Sequence, residues 1–246
     1  MRRLSILILA FALALPLGTT AFPAPAASVS DRLPDLGMAR LKDFGLEKTR
    51  DGRRLLRFSS VVVNTGEGPF ELHGNRPIES DEMTTVQRVF DDSGGYSEVP
   101  TDAVMYYGRD GHNHWHVWDL ESFTLKRLDS NRKVGTGAKH GFCFFDNRPF
   151  GSAALPVYEG CGVEADLDVE MGLSPGWGDL YHYTLPDQYV DVTGLPAGRY
   201  RLTGIADEDH WFQEGDETNN ATWVKLRIER RDVRVLAQGP GAKPIN

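Results

Sequence analysis

The sequence predicts an all-β protein, an antiparallel β-sandwich with long loops and little helix. Short segments rich in β-branched and aromatic residues recur along the chain and are separated by turn signals, a pattern typical of sandwiches. No window shows apolar residues at helical spacing over several turns. The 26 glycines and 14 prolines favour turns over long regular elements.

The predicted strands follow in chain order. Residues 54–64 read RLLRFSSVVVN and are closed by the turn signal Thr65-Gly66-Glu67-Gly68. Residues 115–128 alternate polar and apolar side chains, as a strand with one buried face does. The same pattern recurs in four shorter segments, 141–145, 189–193, 198–206 and 221–229. We see no internal repeat and no interdomain linker, so we expect one domain over residues 27–232 and a disordered C-terminal tail over 233–246.

The first 26 residues have the composition of a secretory signal peptide. Arg2 and Arg3 precede an apolar run from Leu4 to Leu17, and small residues with proline follow up to Ala26. The alternative is a membrane anchor, but the run is shorter than the about 20 residues that a spanning helix needs. The sequence therefore predicts a secreted, periplasmic or extracellular protein with no membrane span.

The charge of the mature chain indicates the class of partner. Cleavage after residue 26 removes two of the 27 basic residues and none of the 35 acidic ones, so the net charge falls from −8 to −10. Nucleic-acid phosphates require a basic face, so this balance argues against a nucleic-acid partner. A negative surface attracts cationic partners such as amines or basic protein segments.

Three histidines at alternate positions give the strongest chemical signal. In a strand His112, His114 and His116 project from one face, and imidazole is a ligand that suits copper or zinc. Residues i and i+4 of a straight strand lie about 13 Å apart, so the segment must bend if all three bind one ion. The histidines alone do not decide between copper and zinc, and three surface histidines without an ion are the alternative.

The chain has two cysteines, Cys143 and Cys161. In an oxidising compartment the default expectation is a disulfide, which closes a loop of about twenty residues and contributes roughly 3 kcal/mol. Free thiols or soft metal ligands are the alternatives.

Further motifs follow the histidines in a fixed order. Lys139 stands three residues before the pair Phe142-Cys143. Ser174-Pro175-Gly176 leads to Asp179-Leu180-Tyr181, and then to Gln188-Tyr189-Val190-Asp191-Val192-Thr193. Together with the histidine triplet, these segments resemble the lysyl oxidase family, with Tyr189 in place of the family's tryptophan. Leu33-Pro34-Asp35-Leu36 is similar to the start of that family's catalytic domain, which implies that residues 27–232 form a lysyl oxidase-like catalytic domain.

The resemblance implies a copper site and an organic cofactor. Copper would bind His112, His114 and His116, and Lys139 would be joined covalently to Tyr181 as lysine tyrosylquinone. Copper and oxygen can oxidise a phenol to a quinone, to which a neutral lysine amine can add, so the three motifs must converge in space. For the general base, Asp179 and Asp191 are candidates by their place in the sequence.

The resemblance also implies calcium. The segment 214–220, Glu-Gly-Asp-Glu-Thr-Asn-Asn, is similar to a stretch at which some family members bind this ion together with the opening segment. The implied ligands are Asp35, the Leu36 carbonyl, Glu214, Asp216, Asn219 and Asn220. Carboxylates, amides and a backbone oxygen suit a hard cation. The alternative is a polar turn in which Asp and Asn cap backbone groups.

The function that the resemblance implies is copper-dependent oxidation of primary amines, with peptidyl lysine among the candidate substrates and oxygen as co-substrate. The products are an aldehyde, hydrogen peroxide and ammonia. One alternative is a non-catalytic copper-binding β-sandwich module, and a second is a zinc hydrolase that uses the same histidines. A quinone crosslink distinguishes the amine oxidase hypothesis from both alternatives, because the crosslink changes the mass of the protein and adds a visible absorption band.

Overall fold

The computed structural model describes residues 29–78, 80–108, 113–152 and 154–245. The predicted signal peptide, residues 1–26, lies outside these ranges. Within them the chain forms strands and loops without any helix, so the predicted all-β class is confirmed. No helix in this part of the chain could cross a membrane.

The described residues form eighteen strands. The first nine are β1 (Asp31–Arg32), β2 (Leu36–Met38), β3 (Lys42–Lys48), β4 (Arg54–Asn64), β5 (Phe70–Asn75), β6 (Glu82–Asp91), β7 (Tyr96–Tyr107), β8 (Trp115–Trp118) and β9 (Glu121–Arg127). The other nine are β10 (Lys133–Thr136), β11 (Gly141–Phe142), β12 (Arg148–Pro149), β13 (Asp168–Leu173), β14 (Trp177–Tyr181), β15 (Tyr189–Asp191), β16 (Gly198–Ala206), β17 (Ala221–Ile228) and β18 (Val233–Gln238).

These strands pair antiparallel in three sheets. The largest has the order β11-β8-β7-β6-β5-β13, with β1 added to β6. A five-stranded sheet has the order β10-β9-β16-β17-β18. In the third sheet, whose order is β12-β14-β4-β15, strands β2 and β3 also pair with β4. All three sheets contribute buried apolar side chains to one core cluster, for example Phe70, Phe123 and Phe58.

The core is built around aromatic rings. Phe58 of β4 packs edge-on against Phe123 of β9, with ring centroids 4.9 Å apart. Phe70 of β5 contacts both Phe144 and Phe212, at 5.0 and 4.9 Å. Each fully buried side chain of this size contributes about 1.5–3 kcal/mol relative to the exposed state. This packing fixes the sheets against one another and so fixes the loops between them.

Strand β4 organises the third sheet. Its second half, from Ser60 to Asn64, pairs with β2 and β14, and its first half pairs with β3 and β15. Strand β4 is buried along most of its length, as expected of a central strand whose apolar run VVV faces packed layers on both sides. Two of the predicted motifs, on β14 and β15, are thereby attached to the same strand.

The chain end differs from the sequence-based expectation. We expected residues from 233 onward to be disordered, but residues 233–238 form strand β18, which pairs antiparallel with β17. The segment reads VRVLAQ, and its backbone satisfies hydrogen-bonding groups that β17 would otherwise leave open at a sheet edge. Ala242 then donates its N–H to the Met38 carbonyl at 2.8 Å, which holds the following residues against β2.

The predicted disulfide is confirmed. Cys143 and Cys161 are bonded, with their Cα atoms 5.7 Å apart. The Trp115 N–H donates to the Cys161 carbonyl at 3.0 Å, so the bridge connects the loop after β11 with the start of β8.

Candidate active site

Strand β14 carries Asp179 and Tyr181, two residues apart and therefore on one face. Both side chains are buried. The Tyr181 hydroxyl donates to the Cys143 carbonyl at 3.0 Å, and its ring packs edge-on against Phe142 at 5.1 Å. Burial raises the pKa of Tyr181 well above its ordinary value, and the nearby Asp179 and Glu121 carboxylates add to this effect. The phenol is therefore neutral at physiological pH.

Lys139 lies between β10 and β11, in a segment held on both sides. The Ala138 N–H donates to the Tyr189 carbonyl at 2.9 Å, and the Asp119 N–H donates to the His140 carbonyl at 2.7 Å. The Lys139 side chain is only 9% exposed, and its Nζ lies 5.0 Å from the centre of the Tyr181 ring. The lysine and the tyrosine that the sequence singles out are thus neighbours in space.

Two of the three histidines lie in the described residues. His116 is on β8 and buried, and His114 comes just before that strand; their ring centroids are 4.6 Å apart at nearly a right angle. Asn113 has a φ of 51°, so the backbone leaves the extended conformation immediately before His114. His112 lies outside the described residues.

These side chains line a single cavity of about 230 Å³. Its walls are His114, His116, Lys139, Cys143, Phe145, Asn147, Asp179, Leu180, Tyr181 and Leu185. The cavity brings together two imidazoles, an amine, a phenol and a carboxyl group. Most of its remaining wall is apolar, which strengthens electrostatic interactions inside it.

Of the two sequence candidates for a base, Asp179 lines this cavity and Asp191 does not. Asp191 is exposed at the end of β15. Burial raises the pKa of Asp179 to about 7, against the opposing effects of the Tyr181 hydroxyl, the Asn147 amide and the Lys139 charge. The Asn147 amide donates to one Asp179 carboxylate oxygen, and its own carbonyl accepts the Leu180 N–H at 2.8 Å. A carboxyl group with a pKa near neutrality can both accept and release a proton.

Sequence reasoning missed Glu121, which is fully buried near Lys139 and Asp179. Its carboxylate accepts a 2.6 Å hydrogen bond from the Ser60 hydroxyl, which in turn accepts one from the Gln188 amide at 3.2 Å. Burial raises the pKa of Glu121 to about 8, and the Asp179 charge adds to this rise. A signal was available, because Glu121 occupies an inward position in the alternating strand β9, where an apolar residue is expected.

The predicted calcium residues form a cluster between the opening segment and the 214–220 loop. The Asn219 amide donates to both Asp35 carboxylate oxygens, at 2.8 and 3.0 Å. Glu214 accepts the Leu36 N–H and the Asn220 amide, each at 2.6 Å. Leu36 therefore contacts Glu214 through its N–H, while its carbonyl is the group that the resemblance implies as a calcium ligand.

Two oxygens in this cluster are ready to accept a ligand. The side-chain carbonyls of Asn219 and Asn220 are buried and have no hydrogen-bond partner among the described residues. Burial and the nearby negative charges of Glu217 and Asp207 raise the pKa of Glu214 to about 8. Asp216, by contrast, is exposed and accepts hydrogen bonds from the N–H and the hydroxyl of Thr218.

Comparison with known proteins decides the family. A family model described as "Lysyl oxidase" matches residues 98–237, more than half of the chain. The chain belongs to the lysyl oxidase family. The matched range includes the cavity residues His114, His116, Lys139 and Tyr181.

The individual relatives are distant lysyl oxidase homologs. Lysyl oxidase homolog 2 of Rattus norvegicus is 27% identical over 185 residues, which cover 74% of this chain and 19% of the relative. Lysyl oxidase homolog 3A of Danio rerio is 29% identical over 171 residues, 69% of this chain and 18% of the relative. Lysyl oxidase homolog 2 of Homo sapiens is 28% identical over 186 residues, which cover 74% of this chain and 19% of the relative. This lysyl oxidase family member thus spans about a fifth of the length of the curated relatives it matches.

Proposed function

We propose that this chain is a copper-dependent amine oxidase whose organic cofactor is a lysine tyrosylquinone made from Lys139 and Tyr181. In the overall reaction a primary amine, oxygen and water yield an aldehyde, ammonia and hydrogen peroxide. The observation that carries the proposal is the 5.0 Å approach of Lys139 Nζ to the Tyr181 ring, in a cavity that His114 and His116 also line.

The donor set at this cavity fits copper. Imidazole nitrogens are ligands that copper accepts, and two perpendicular rings 4.6 Å apart can direct their nitrogens toward one ion. His112, two residues before His114, would be the third ligand, and the left-handed backbone at Asn113 supplies a bend of the kind that a shared ion needs. Copper and the quinone, when bound, supply the redox chemistry that takes two electrons from the amine and delivers them to oxygen.

The surroundings of the Lys139–Tyr181 pair support the crosslink. The pair is buried, and the Cys143 carbonyl and the Phe142 ring fix the orientation of the tyrosine. The disulfide at Cys143 restrains the segment that provides both contacts. Bringing the amine to the ring therefore requires an adjustment of the lysine side chain and no movement of a sheet.

We assign Asp179 as the residue that accepts the proton from the carbon next to the substrate nitrogen. It lines the same cavity as Lys139 and Tyr181, and its pKa of about 7 lets it take up that proton near neutral pH. Asn147 positions the carboxylate by donating to one of its oxygens. Glu121, with a pKa of about 8, is mostly protonated at neutral pH and so adds little negative charge near Asp179.

For the substrate, we propose an amine-bearing side chain or small primary amine, with peptidyl lysine favoured because the matched relatives are named lysyl oxidase homologs. The acidic balance of the chain attracts such cationic groups. The signal-like residues 1–26 support export, where oxygen and extracellular protein substrates are available.

One experiment tests the cofactor assignment directly. The full chain, loaded with copper, is labelled with a hydrazine and then digested for peptide mapping. We expect a labelled protein and one peptide that links Lys139 to Tyr181. His116→Ala should lose both copper and crosslink, because the ring oxidation depends on the metal, whereas His182→Ala, which alters an exposed histidine, should retain both. A copper-loaded chain that neither labels nor crosslinks would favour the non-catalytic binding module.

We further propose that calcium joins the opening segment to the 214–220 loop. The ligands would be Asp35, Glu214, Asn219 and Asn220, with the Leu36 carbonyl and Asp216 completing the implied set. The buried, unpartnered carbonyl oxygens of Asn219 and Asn220 support this, since a hard cation takes such oxygens.

Calcium should therefore stabilise the fold. An ion that binds only the folded state adds RT ln(1 + [L]/Kd), about 2.7 kcal/mol at a hundredfold excess over Kd. We expect the melting temperature of the copper-loaded protein to rise by several degrees with calcium, and Asn219→Ala to abolish the rise. Asn147→Ala, which changes an asparagine outside the cluster, is the control. Superimposable melting curves with and without calcium would contradict the site.

A further inference from the structure

A second cluster of metal-ligating side chains lies on the largest sheet, outside the cavity described above. Glu71 and His73 are two residues apart on β5 and so share one face. Glu170, on the neighbouring strand β13, pairs directly opposite His73. The strand register thus places one imidazole and two carboxylates side by side.

The two carboxylates converge on one nitrogen. His73 Nε2 lies 2.9 Å from a Glu71 oxygen and 3.0 Å from a Glu170 oxygen, and the three atoms are within 4.8 Å of one another. A neutral imidazole nitrogen offers one proton or one lone pair, so it cannot form a full linear hydrogen bond with both carboxylates. A cation at the centre would be shared by all three.

Glu71, the most buried of these ligands, is held in place by contacts with residues outside the cluster. The Tyr158 hydroxyl donates to Glu71 Oε2 at 2.5 Å, while Arg88 lies 3.3 Å from Oε1, the oxygen that also faces His73. Gly172, which pairs with Glu71 across the strands, makes room for this support, because a Cβ there would lie 2.4 Å from the Tyr158 ring. Hydrogen bonds that orient a ligand in this way are typical of built metal sites.

The charge around the cluster favours a divalent cation. The described contacts join Glu71 and Glu98 to the guanidinium of Arg88, and Glu170 to His73. The three carboxylates and the one guanidinium carry a net charge of −2, counted without His73. A doubly charged ion would neutralise them.

We propose that Glu71, His73 and Glu170 bind a divalent transition-metal cation of the zinc class, at a site distinct from the copper site. Zinc takes nitrogen and oxygen ligands at 2.0–2.2 Å, which places tetrahedral ligand atoms about 3.3–3.6 Å apart. The present separations of 2.9 and 3.0 Å need only a small opening, which Glu170 can provide because its side chain is 49% exposed. Three protein ligands leave a fourth position for water. The ion would tie β13 to β5.

Zinc binding to the full chain tests the site. Because the histidine triplet can also take zinc, the protein is first loaded with copper, and zinc is then measured by equilibrium dialysis. We expect one zinc per chain beyond any bound at the triplet. His73→Gln and Glu170→Gln should each weaken its Kd at least tenfold. Zinc should raise the melting temperature of the wild type and leave that of His73→Gln unchanged.

Glu98→Gln is the matched control. It removes a negative charge beside Arg88 but takes away none of the three ligand atoms, so its zinc affinity should stay within about threefold of wild type. Circular dichroism checks that each variant is folded. The proposal is overturned if His73→Gln binds zinc as the wild type does, or if Glu98→Gln loses as much affinity as His73→Gln. The first result would reduce the cluster to an ion-pair network, and the second to a non-specific negative surface.

Discussion

Replacing Tyr181 with phenylalanine should abolish amine oxidation and leave copper binding intact. The phenolic oxygen is where ring oxidation begins, so without it no quinone can form. His114 and His116 are unchanged in this variant and should bind copper as before. The measurement is peroxide release with a simple primary amine, run beside hydrazine labelling, and both signals should fall to the level of a protein-free blank.

Loss of folding would be a trivial explanation, and the contacts of Tyr181 argue against it. Its hydroxyl donates to the Cys143 carbonyl, and leaving that buried acceptor without its donor costs about 1–3 kcal/mol. The ring contact with Phe142 remains in the phenylalanine variant. A domain stability of about 5–15 kcal/mol tolerates this loss.

Lys139→Ala gives an independent test of the same pair. The tyrosine ring can still be oxidised in this variant, but no lysine nitrogen is available to join it, so activity should fall sharply while copper is retained. Lys133→Ala, which removes an exposed lysine from β10, is the control. Wild-type peroxide release by Tyr181→Phe would refute the cofactor assignment, whatever the lysine variants do.

Much of the fold follows from local patterns in the sequence. The alternation in β9 and β16 and the apolar run in β4 reflect side chains that face one or two packed layers. These patterns identify strands but not their neighbours, because pairing depends on contacts between distant segments. The order β10-β9-β16-β17-β18 could not be derived from them, and strand β18 was mistaken for a disordered tail.

The residues of the candidate site likewise include some that the sequence identifies and some that it does not. His114, His116, Lys139 and Tyr181 belong to motifs with fixed spacing, so the sequence singles them out. Groups that depend on strand register carry no such signature.

Glu121, which lies near Lys139 and Asp179, is one residue that the sequence motifs do not identify. Its carboxylate accepts a hydrogen bond from Ser60, a residue of another sheet, and the alternation of β9 marks it only as an unexpected inward charge. The cluster of Glu71, His73 and Glu170 was missed for the same reason, since only the β5–β13 register brings its members together.

Asp179→Asn should lower kcat by about 10²–10⁴ with the quinone still formed. That range is typical for the loss of a general base. Asparagine keeps the size of the side chain and can remain beside Asn147, so the cavity should keep its shape. Hydrazine labelling then reports the cofactor, and peroxide release reports turnover. In Asp179→Asn hydrazine labelling should remain while peroxide release falls, whereas in Tyr181→Phe both signals should disappear.

The pH profile distinguishes a base from a merely structural carboxylate. Burial raises the pKa of Asp179 from 3.8 to about 7, so below that pH the group is protonated and cannot accept a proton. Wild-type kcat/KM should therefore rise with pH and then level off, reaching half of its maximum at or below about pH 7. The midpoint can lie below 7 because bound copper adds positive charge and lowers the pKa of Asp179. Asp179→Asn should lack the rise, while Asp191→Asn, which alters an exposed carboxylate outside the cavity, should keep it. An unchanged acid limb in Asp179→Asn would assign the proton transfer to another group.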